Sequence, residues 1–263
     1  MPSPLAPPEP QRVVVDRLVD GRNVLVTGAG RNVGRSIALE MKAHGANVFC
    51  TDVDSARAER FHEELASMPG RSKVVRSDVS RPHDNEAVVS SLRADGVSLD
   101  VLVNNVGIVS DDFGASFDTN VTGPMHLTRL VTRQMIDEKR AGNVIFLTSI
   151  HQDSVFTRNR AYSATKAALA MIVKDLAVEL APHHIRVNAI APGDIRTDDD
   201  GRVVPYGYTP LERTSIAPQY IGRAAVYLAS DYFSRYTTGT VLKIDAGLSL
   251  FNYQCAFDAG LYP

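Results

Sequence analysis

The most constraining feature of the chain is a short apolar run that leads through a glycine-rich turn into a helical segment and a second apolar run. Asn23–Thr27 is bounded by glycines, as buried strands often are. The turn, residues 28–34, precedes a helical stretch at 35–44 and a predicted strand at 46–51. A strand–turn–helix–strand unit of this kind places a helix N-terminus where it can hold a pyrophosphate.

The same alternation continues almost to the end of the chain. Predicted strands at 73–76, 99–103, 143–148, 185–190 and 240–244 are separated by predicted helices at 55–68, 82–94, from after 107 to about 139, 162–181 and 218–229. Strands separated by helix-length segments form a parallel sheet with helices on both faces. Since no linker or repeat divides the chain, residues 11–263 are predicted to be one doubly wound α/β domain.

Composition excludes several classes of function. The apolar share of 44% suffices for a buried core, and a net charge of −2 without a basic run predicts neither a nucleic-acid nor a membrane surface. Cys50, Cys255 and the seven histidines show no metal-ligand spacing, so no metal site is expected. The proline-rich residues 1–10 are expected to form a disordered leader. Without a signal pattern or membrane-spanning run, a cytoplasmic protein is expected.

Two residues of opposite charge compete to set the nucleotide preference. Asp52 follows the second strand, where a carboxylate can bind both ribose hydroxyls and repel a 2′-phosphate. Arg31, in the glycine-rich turn, could instead attract that phosphate. We expect Asp52 to dominate because it lies where the 2′ position is recognised. NAD is therefore the predicted cofactor and NADP the alternative.

A tyrosine and a lysine stand four residues apart at the start of an apolar helical run. A helix places the phenol of Tyr162 and the ammonium of Lys166 on one face. A free phenol titrates near about pH 10, and a nearby cation lowers that pKa by favouring the phenolate. Tyr162 is thus a predicted general acid and base. The pattern alone recurs by chance, so this prediction depends on the cofactor turn elsewhere in the chain.

With these motifs in hand, the chain from about Gly21 onward resembles the short-chain dehydrogenase/reductase family. The matching residues occur in the family's order: Thr27-Gly28…Gly34, Asp78-Val79, Asn104-Asn105-Val106-Gly107, Asn120, Ser149, Tyr162…Lys166, Asn188 and Pro192-Gly193…Thr197. The resemblance implies a Rossmann-type sheet of seven parallel strands and a nicotinamide cofactor. It also implies a small alcohol or ketone substrate and a homotetramer.

The resemblance assigns roles to individual residues. The implied catalytic residues are Asn120, Ser149, Tyr162 and Lys166. The implied cofactor contacts are Gly28, Arg31, Asn32, Val33, Gly34, Asp52, Asp78, Val79, Asn104, Gly107, Tyr162, Lys166, Pro192, Gly193, Ile195 and Thr197. In the first set, Ser149 hydrogen-bonds the substrate oxygen, Lys166 holds the nicotinamide ribose, and Asn120 positions a water that passes protons onward. For Ser149 a turn cap is the alternative, and for Asn120 a helix-interior polar residue.

Departures from the family pattern concern the turn and the substrate pocket. Asn32 stands where the family has a glycine, but asparagine tolerates a left-handed backbone. Val106 adds bulk beside the cofactor, and the segment 107–120 looks short, so one pocket wall is expected to be reshaped. Residues 142–145, 149–152 and 246–251 are similar to stretches of bacterial glucose dehydrogenases, which favours a polyol or sugar-like substrate. His151 could face that substrate or lie in an exposed loop.

The predicted function is an NAD(H)-dependent oxidoreductase that interconverts a secondary alcohol and a ketone. An NADP-preferring carbonyl reductase is the alternative, and a non-catalytic nucleotide-binding regulator is disfavoured because such proteins usually lose the tyrosine or the lysine. Residues 194–213, rich in glycine and proline, are the predicted lid. We expect residues 198–208 to be poorly ordered without ligand, with Tyr206 or Tyr208 packing on substrate after closure.

Overall fold

The structure is a computed structural model that describes residues 17–156, 158–197, 203–204, 209–211 and 213–250. The predicted leader, Cys255 and most of the segment 198–208 of the predicted lid, including both of its tyrosines, lie outside the described residues.

Seven parallel strands form one sheet in the order β3-β2-β1-β4-β5-β6-β7. The strands are β1 Asn23–Thr27, β2 Asn47–Asp52, β3 Ser72–Arg76, β4 Val101–Asn104, β5 Gly142–Leu147, β6 Ile185–Pro192 and β7 Val241–Ile244. The predicted α/β class, the doubly wound topology and the strand number are confirmed. Predicted strand ends differ from the observed ones by at most two residues, and both ends of β1 coincide.

Eight α-helices connect and cover the strands in the described part of the chain. They are α1 Asn32–Ala43, α2 Ser55–Ala66, α3 Pro82–Ala94, α4 Phe113–Phe117, α5 Gly123–Asp137, α6 Arg160–Leu180, α7 Pro218–Ala229 and α8 Asp231–Ser234. The prediction of one helix through Asn120 was wrong in detail, because a π-helical turn, Asp118–Thr122, separates α4 from α5. Pro124 lacks an N–H and therefore cannot continue the ordinary i→i−4 ladder at this point.

The central strands are buried on both faces, which explains why they read as apolar runs rather than alternating ones. In β1, Val24 and Val26 join the cluster under α1 and α7, whereas Leu25 joins the cluster under α3, α5 and α6. Strands β4 and β5 divide their side chains in the same way. The sheet is therefore a rigid platform whose carboxyl-end loops carry the polar motifs.

The strand order reverses between β1 and β4, so the loops that follow these two strands part and leave a cleft. Asn105 ties the two loops together. Its backbone N–H donates to Thr27 Oγ1 at 3.0 Å, and its Nδ2 donates to the carbonyls of Thr27 at 2.9 Å and Gly28 at 3.1 Å. This one side chain thus fixes the glycine-rich turn against the end of β4.

Close packing at Gly123 fixes a second side of the cleft. A Cβ added to Gly123 would lie 2.2 Å from the carbonyl oxygen of Val79, in the loop after β3. Asn85 bridges the same two places, because its Nδ2 donates to the carbonyls of Val79 at 2.9 Å and Gly123 at 3.3 Å. Helix α5 and this loop therefore meet with no room for a side chain.

We expect Gly123→Ala to lower the free energy of unfolding by about 1–3 kcal/mol, because the new methyl group meets backbone rather than a side chain that can move. Urea denaturation measures the change. Gly114→Ala, in α4, is the matched control: its Cβ would find only Asp112 Oδ1, at 3.3 Å, so little change is expected. Equal losses in the two variants would contradict the packing argument.

Candidate active site

A cleft of about 450 Å³ lies at the carboxyl ends of β1 to β4, where the strand order reverses. Nine of the predicted cofactor residues line it: Gly28, Arg31, Asn32, Val33, Gly34, Asp52, Asp78, Val79 and Gly107. The lining also includes residues that the sequence analysis did not single out as cofactor contacts, among them Arg57, Ser77, Asn105 and Ile108.

The glycine-rich turn forms a cradle at the N-terminus of α1. The preceding residue, Arg31, makes no side-chain capping bond, so the first-turn N–H groups are left for an anion in the cleft. A Cβ on Gly34 would lie 2.3 Å from the carbonyl oxygen of Gly28, so only glycine fits there. Asn32 adopts the left-handed conformation with φ of 47°, as expected of an asparagine in a glycine position.

Asp52 is buried at the end of β2 and accepts hydrogen bonds at both carboxylate oxygens. Its Oδ2 accepts from Gly30 N at 2.9 Å, and its Oδ1 accepts from Asp54 N at 2.9 Å. The guanidinium of Arg57 donates to Oδ1 as well, from Nε at 3.2 Å and Nη2 at 2.9 Å. Arg57 lies in the first turn of α2, and its place five residues after Asp52 was the available sequence signal.

The loop after β3 supplies the opposite wall. Asp78 accepts from Ser80 N at 3.1 Å and Ser80 Oγ at 2.7 Å, so its carboxylate closes a turn. Val79 is buried beside it. The contacts of the Asp78 side chain are therefore those of a turn-closing carboxylate, while the loop as a whole lines the cleft.

A serine, a tyrosine and a lysine meet where β5 and α6 approach each other. Ser149 follows β5, and its side chain is placed to hydrogen-bond the hydroxyl of Tyr162, an interaction that lowers the pKa of the phenol. Lys166, one turn further along α6, is only 2% exposed. Its Nζ lies 5.4 Å from the centre of the Tyr162 ring and donates to the carbonyl of Leu147 at 2.7 Å. The three predicted side chains are therefore adjacent.

Asn120 joins this cluster through the backbone of the loop after β4. Its Nδ2 donates to Ile108 O at 2.9 Å and Thr165 Oγ1 at 3.0 Å, and its Oδ1 accepts from Ile108 N at 2.8 Å. A Cβ on Gly107 would lie 3.2 Å from Lys166 Nζ and 3.7 Å from Asn120 Oδ1. Gly107, which also lines the cleft, thus links the cleft to the serine, tyrosine and lysine cluster.

Burial dominates the electrostatics of the cluster. It lowers the pKa of Lys166 to about 8. It also raises the pKa of Tyr162, although the hydrogen bond with Ser149 acts in the opposite direction. The expectation that Lys166 lowers the pKa of Tyr162 is therefore not met. The lysine lies against the ring and bonds a carbonyl, and this arrangement does not offset removal of the phenol from water.

Asn104 is a predicted cofactor contact whose side chain points away from the cleft. Asn104 does not line the cleft: it is buried under α5, where its Nδ2 donates to Thr128 Oγ1 at 2.8 Å. Successive residues of a strand point to opposite faces, so the side chain that reaches the cleft belongs to the next residue, Asn105. The doubled asparagine was the signal, but it left the choice between them open.

The predicted contacts after β6 lie outside the cleft lining. A Cβ on Gly193 would lie 2.7 Å from Asp245 Cα, so this glycine allows backbones to meet. The preceding Pro192 ends β6, and Ile195 packs against the core cluster under α1. Thr197 reaches the glycine-rich turn, because its Oγ1 donates to Asn32 Oδ1 at 2.6 Å.

Over the described ranges, no group of three or more His, Cys, Asp or Glu side chains could hold a metal ion. Nor is any helix in this part of the chain long and apolar enough to cross a membrane.

Comparisons with known proteins agree with this geometry. A family model described as enoyl-(acyl carrier protein) reductase matches residues 28–249. Oxidoreductase UcpA of Escherichia coli (strain K12) is 33% identical over 253 residues, which cover 88% of this chain and 95% of that protein. The 7alpha-hydroxysteroid dehydrogenase of the same strain is 30% identical over 245 residues, covering 87% and 94%.

Solved structures match over nearly the same range. Acetoin dehydrogenase YohF from Salmonella typhimurium superposes with a TM-score of 0.82 at 29% identity, covering 89% of this chain and 98% of that one. A 7alpha-hydroxysteroid dehydrogenase complexed with NADH and 7-oxo glycochenodeoxycholic acid gives 0.82 at 28% identity, covering 90% and 98%. The chain therefore belongs to the short-chain dehydrogenase/reductase family and is an NAD(P)-dependent oxidoreductase that acts on CH–OH groups.

Proposed function

We propose that the protein prefers NAD(H) and interconverts a secondary alcohol and the corresponding ketone. The observation that carries this proposal is that Tyr162 lies beside Ser149 and one helical turn from a buried lysine, whose Nζ is 5.4 Å from the centre of the tyrosine ring. This arrangement supplies a proton donor and a second hydrogen-bonding group for one substrate oxygen, beside the loop that lines the cofactor cleft.

Each residue of the cluster has a separate role in the proposed reaction at that oxygen. The nicotinamide, when bound, supplies or accepts the hydride at the substrate carbon. Tyr162 gives a proton to the oxygen in reduction and takes one in oxidation, while Ser149 hydrogen-bonds the same oxygen. Lys166 would hold the nicotinamide ribose. Asn120 is the residue that would position a water relaying protons onward from Lys166.

The cleft fits a dinucleotide. The uncapped start of α1 suits a pyrophosphate, and Asp52 lies where the adenosine ribose is recognised. A solved relative holds NADH. Arg31 and Arg57 flank Asp52 in the cleft lining and support the NADP alternative. We give priority to NAD because Asp52 is the buried group at the strand end.

The relatives differ in the substrates that their names give, so we assign no single one of these substrates to this chain. The names of the relatives include a hydroxysteroid, acetoin and acyl-carrier-protein substrates, all of which carry a carbonyl or hydroxyl group. We retain a polyol or sugar-like substrate as part of the proposal. The homotetramer and the cytoplasmic location stay predictions. A purely regulatory role is disfavoured, because the tyrosine, serine and lysine are brought together.

Replacing Tyr162 by Phe removes only the ionisable oxygen. We expect kcat to fall by at least about 100-fold, the usual contribution of a general acid or base, while the Kd for NAD measured by calorimetry changes little. Tyr236→Phe, at an exposed tyrosine 88% accessible to solvent, is the matched control and should behave like the wild type. Near-normal kcat in Tyr162→Phe would remove the tyrosine from the mechanism.

Asp52→Asn should raise kcat/KM with NADP by at least about tenfold, because removing one carboxylate charge is worth more than about 1.4 kcal/mol toward a dianionic phosphate. The gain should come from Arg57, which loses its ion-pair partner. The double variant with Arg57→Met should therefore lose most of it. If the wild type already uses NAD and NADP equally well, the NAD preference is wrong.

Lys166→Met should stabilise the protein at about pH 7 by about 1–3 kcal/mol, because a buried ammonium is expensive. Burial lowers the pKa of Lys166 from 10.5 to about 8, so between these values the unfolded chain binds more protons. The wild type therefore gains stability as pH rises through this window, and the difference between the two proteins should shrink. Urea denaturation at several pH values measures this.

Lys174→Met, at an exposed position of the same helix, is the control and should show no such pH-dependent difference. A Lys166→Met protein that is less stable than the wild type at every pH would contradict the burial argument.

A further inference from the structure

His151 is held in a fixed relation to the proposed reaction centre by the local backbone. It lies in a short 3₁₀ helix, Ile150–Gln152, which begins directly after Ser149. The backbone N–H of His151 donates to Ser149 Oγ at 3.3 Å, and that of Gln152 donates to Ser149 O at 3.0 Å. The serine that contacts the substrate oxygen in the proposed mechanism therefore also positions the histidine.

The imidazole ring is fixed on three sides. It stacks on Phe156 with ring centres 4.1 Å apart and an angle of 14°. It meets Tyr162 edge to face, with centres 5.1 Å apart and an angle of 81°. Its Nδ1 lies 3.1 Å from Ser163 Oγ, and Ser163 is the residue that follows Tyr162 on α6. These contacts leave the ring no freedom to turn away from the tyrosine.

The other ring nitrogen has no such partner. Nε2 of His151 is hydrogen-bonded by none of the residues that the structure describes. Burial and the charge of Lys166 lower the pKa of His151, so the ring is neutral at about pH 7. A serine hydroxyl can donate or accept, which lets Ser163 satisfy Nδ1 in either tautomer. Nε2 can therefore donate or accept one hydrogen bond with an uncharged oxygen of a ligand.

We infer that His151 Nε2 binds a second oxygen of the substrate, carried by the carbon next to the reacting carbon. The substrates are then vicinal diols in oxidation and α-hydroxy ketones in reduction. This inference deepens the proposed function and rests on it. An oxygen held between Ser149 and Tyr162 brings the neighbouring carbon beside the imidazole, because both residues contact His151 directly. A neutral imidazole recognises a hydroxyl and offers no charge for a carboxylate.

A purely structural role makes a different demand on the side chain. Stacking on Phe156 and the edge contact with Tyr162 need only a flat ring, which phenylalanine also provides. Recognition of an oxygen needs the nitrogen. His151→Phe therefore separates the two roles, and His151→Gln restores a hydrogen-bonding group without the ring.

The test compares matched substrate pairs that differ only in the neighbouring hydroxyl: 2,3-butanediol with 2-butanol, and 1,2-cyclohexanediol with cyclohexanol. For each pair, kcat/KM is measured by the absorbance of the reduced cofactor, with full-length wild type, His151→Phe and His151→Gln. We expect the wild type to prefer the diols. In His151→Phe that preference should fall about tenfold, the value of one hydrogen bond, while kcat/KM for the monoalcohols changes less than about threefold. His151→Gln should recover part of the preference.

Two results would overturn the inference while leaving the proposed function intact. One is turnover of the monoalcohols, or of other alcohols and ketones, with no preference for a neighbouring hydroxyl. The other is an unchanged preference in His151→Phe. By contrast, failure of the wild type to oxidise or reduce any alcohol or ketone would contradict the proposed function itself, and the inference with it.

Discussion

The arrangement of the site depends on a cation that has been taken out of water. Lys166 is almost completely buried, and it donates a hydrogen bond to one carbonyl, that of Leu147 at the end of β5. Such a group costs stability, since its charged form loses hydration that one carbonyl does not replace. A cost of this kind is typical of functional sites, where stability is given up for chemistry. The absence of a side chain at Gly107 is what leaves space for the ammonium.

Two asparagines hold the backbone around this cation. Asn105 ties the end of β4 to the glycine-rich turn, and Asn120 ties Ile108 to Thr165 on α6. An amide can donate and accept at once, which suits a side chain that must satisfy the backbone of a neighbouring loop. The segment from Asn105 to Ile108 is therefore fixed at both ends. The cofactor cleft and the tyrosine cluster share this one segment, so neither can shift without the other.

The sequence was sufficient to predict the fold class, the strand number and the residues that meet at the site, because these follow from patterns along the chain. Apolar runs separated by helices give a parallel sheet, and Tyr162 and Lys166 share a helix face. Burial depth does not follow from such patterns. The direction of the Tyr162 pKa shift was therefore wrong, and Asn104 was chosen with no means of telling which strand face it would occupy. Arg57 was missed because its importance arises only from its contact with Asp52.

The ion pair with Arg57 changes how Asp52 can bind the adenosine ribose. An ionised carboxylate offers about four lone-pair sites, and the Asp52 carboxylate already accepts from Gly30 N, Asp54 N and two nitrogens of Arg57. Three of these four bonds are made to Oδ1, whereas Oδ2 accepts only from Gly30 N and keeps a lone pair for one ribose hydroxyl. A second hydroxyl must share or displace a donor, and the guanidinium is the one on a flexible stem. Once displaced, Arg57 would stand beside the 2′ position with its charge available. The repulsion of a 2′-phosphate by Asp52 is thus opposed by its own ion-pair partner, and the preference for NAD depends on the pair rather than on the aspartate alone.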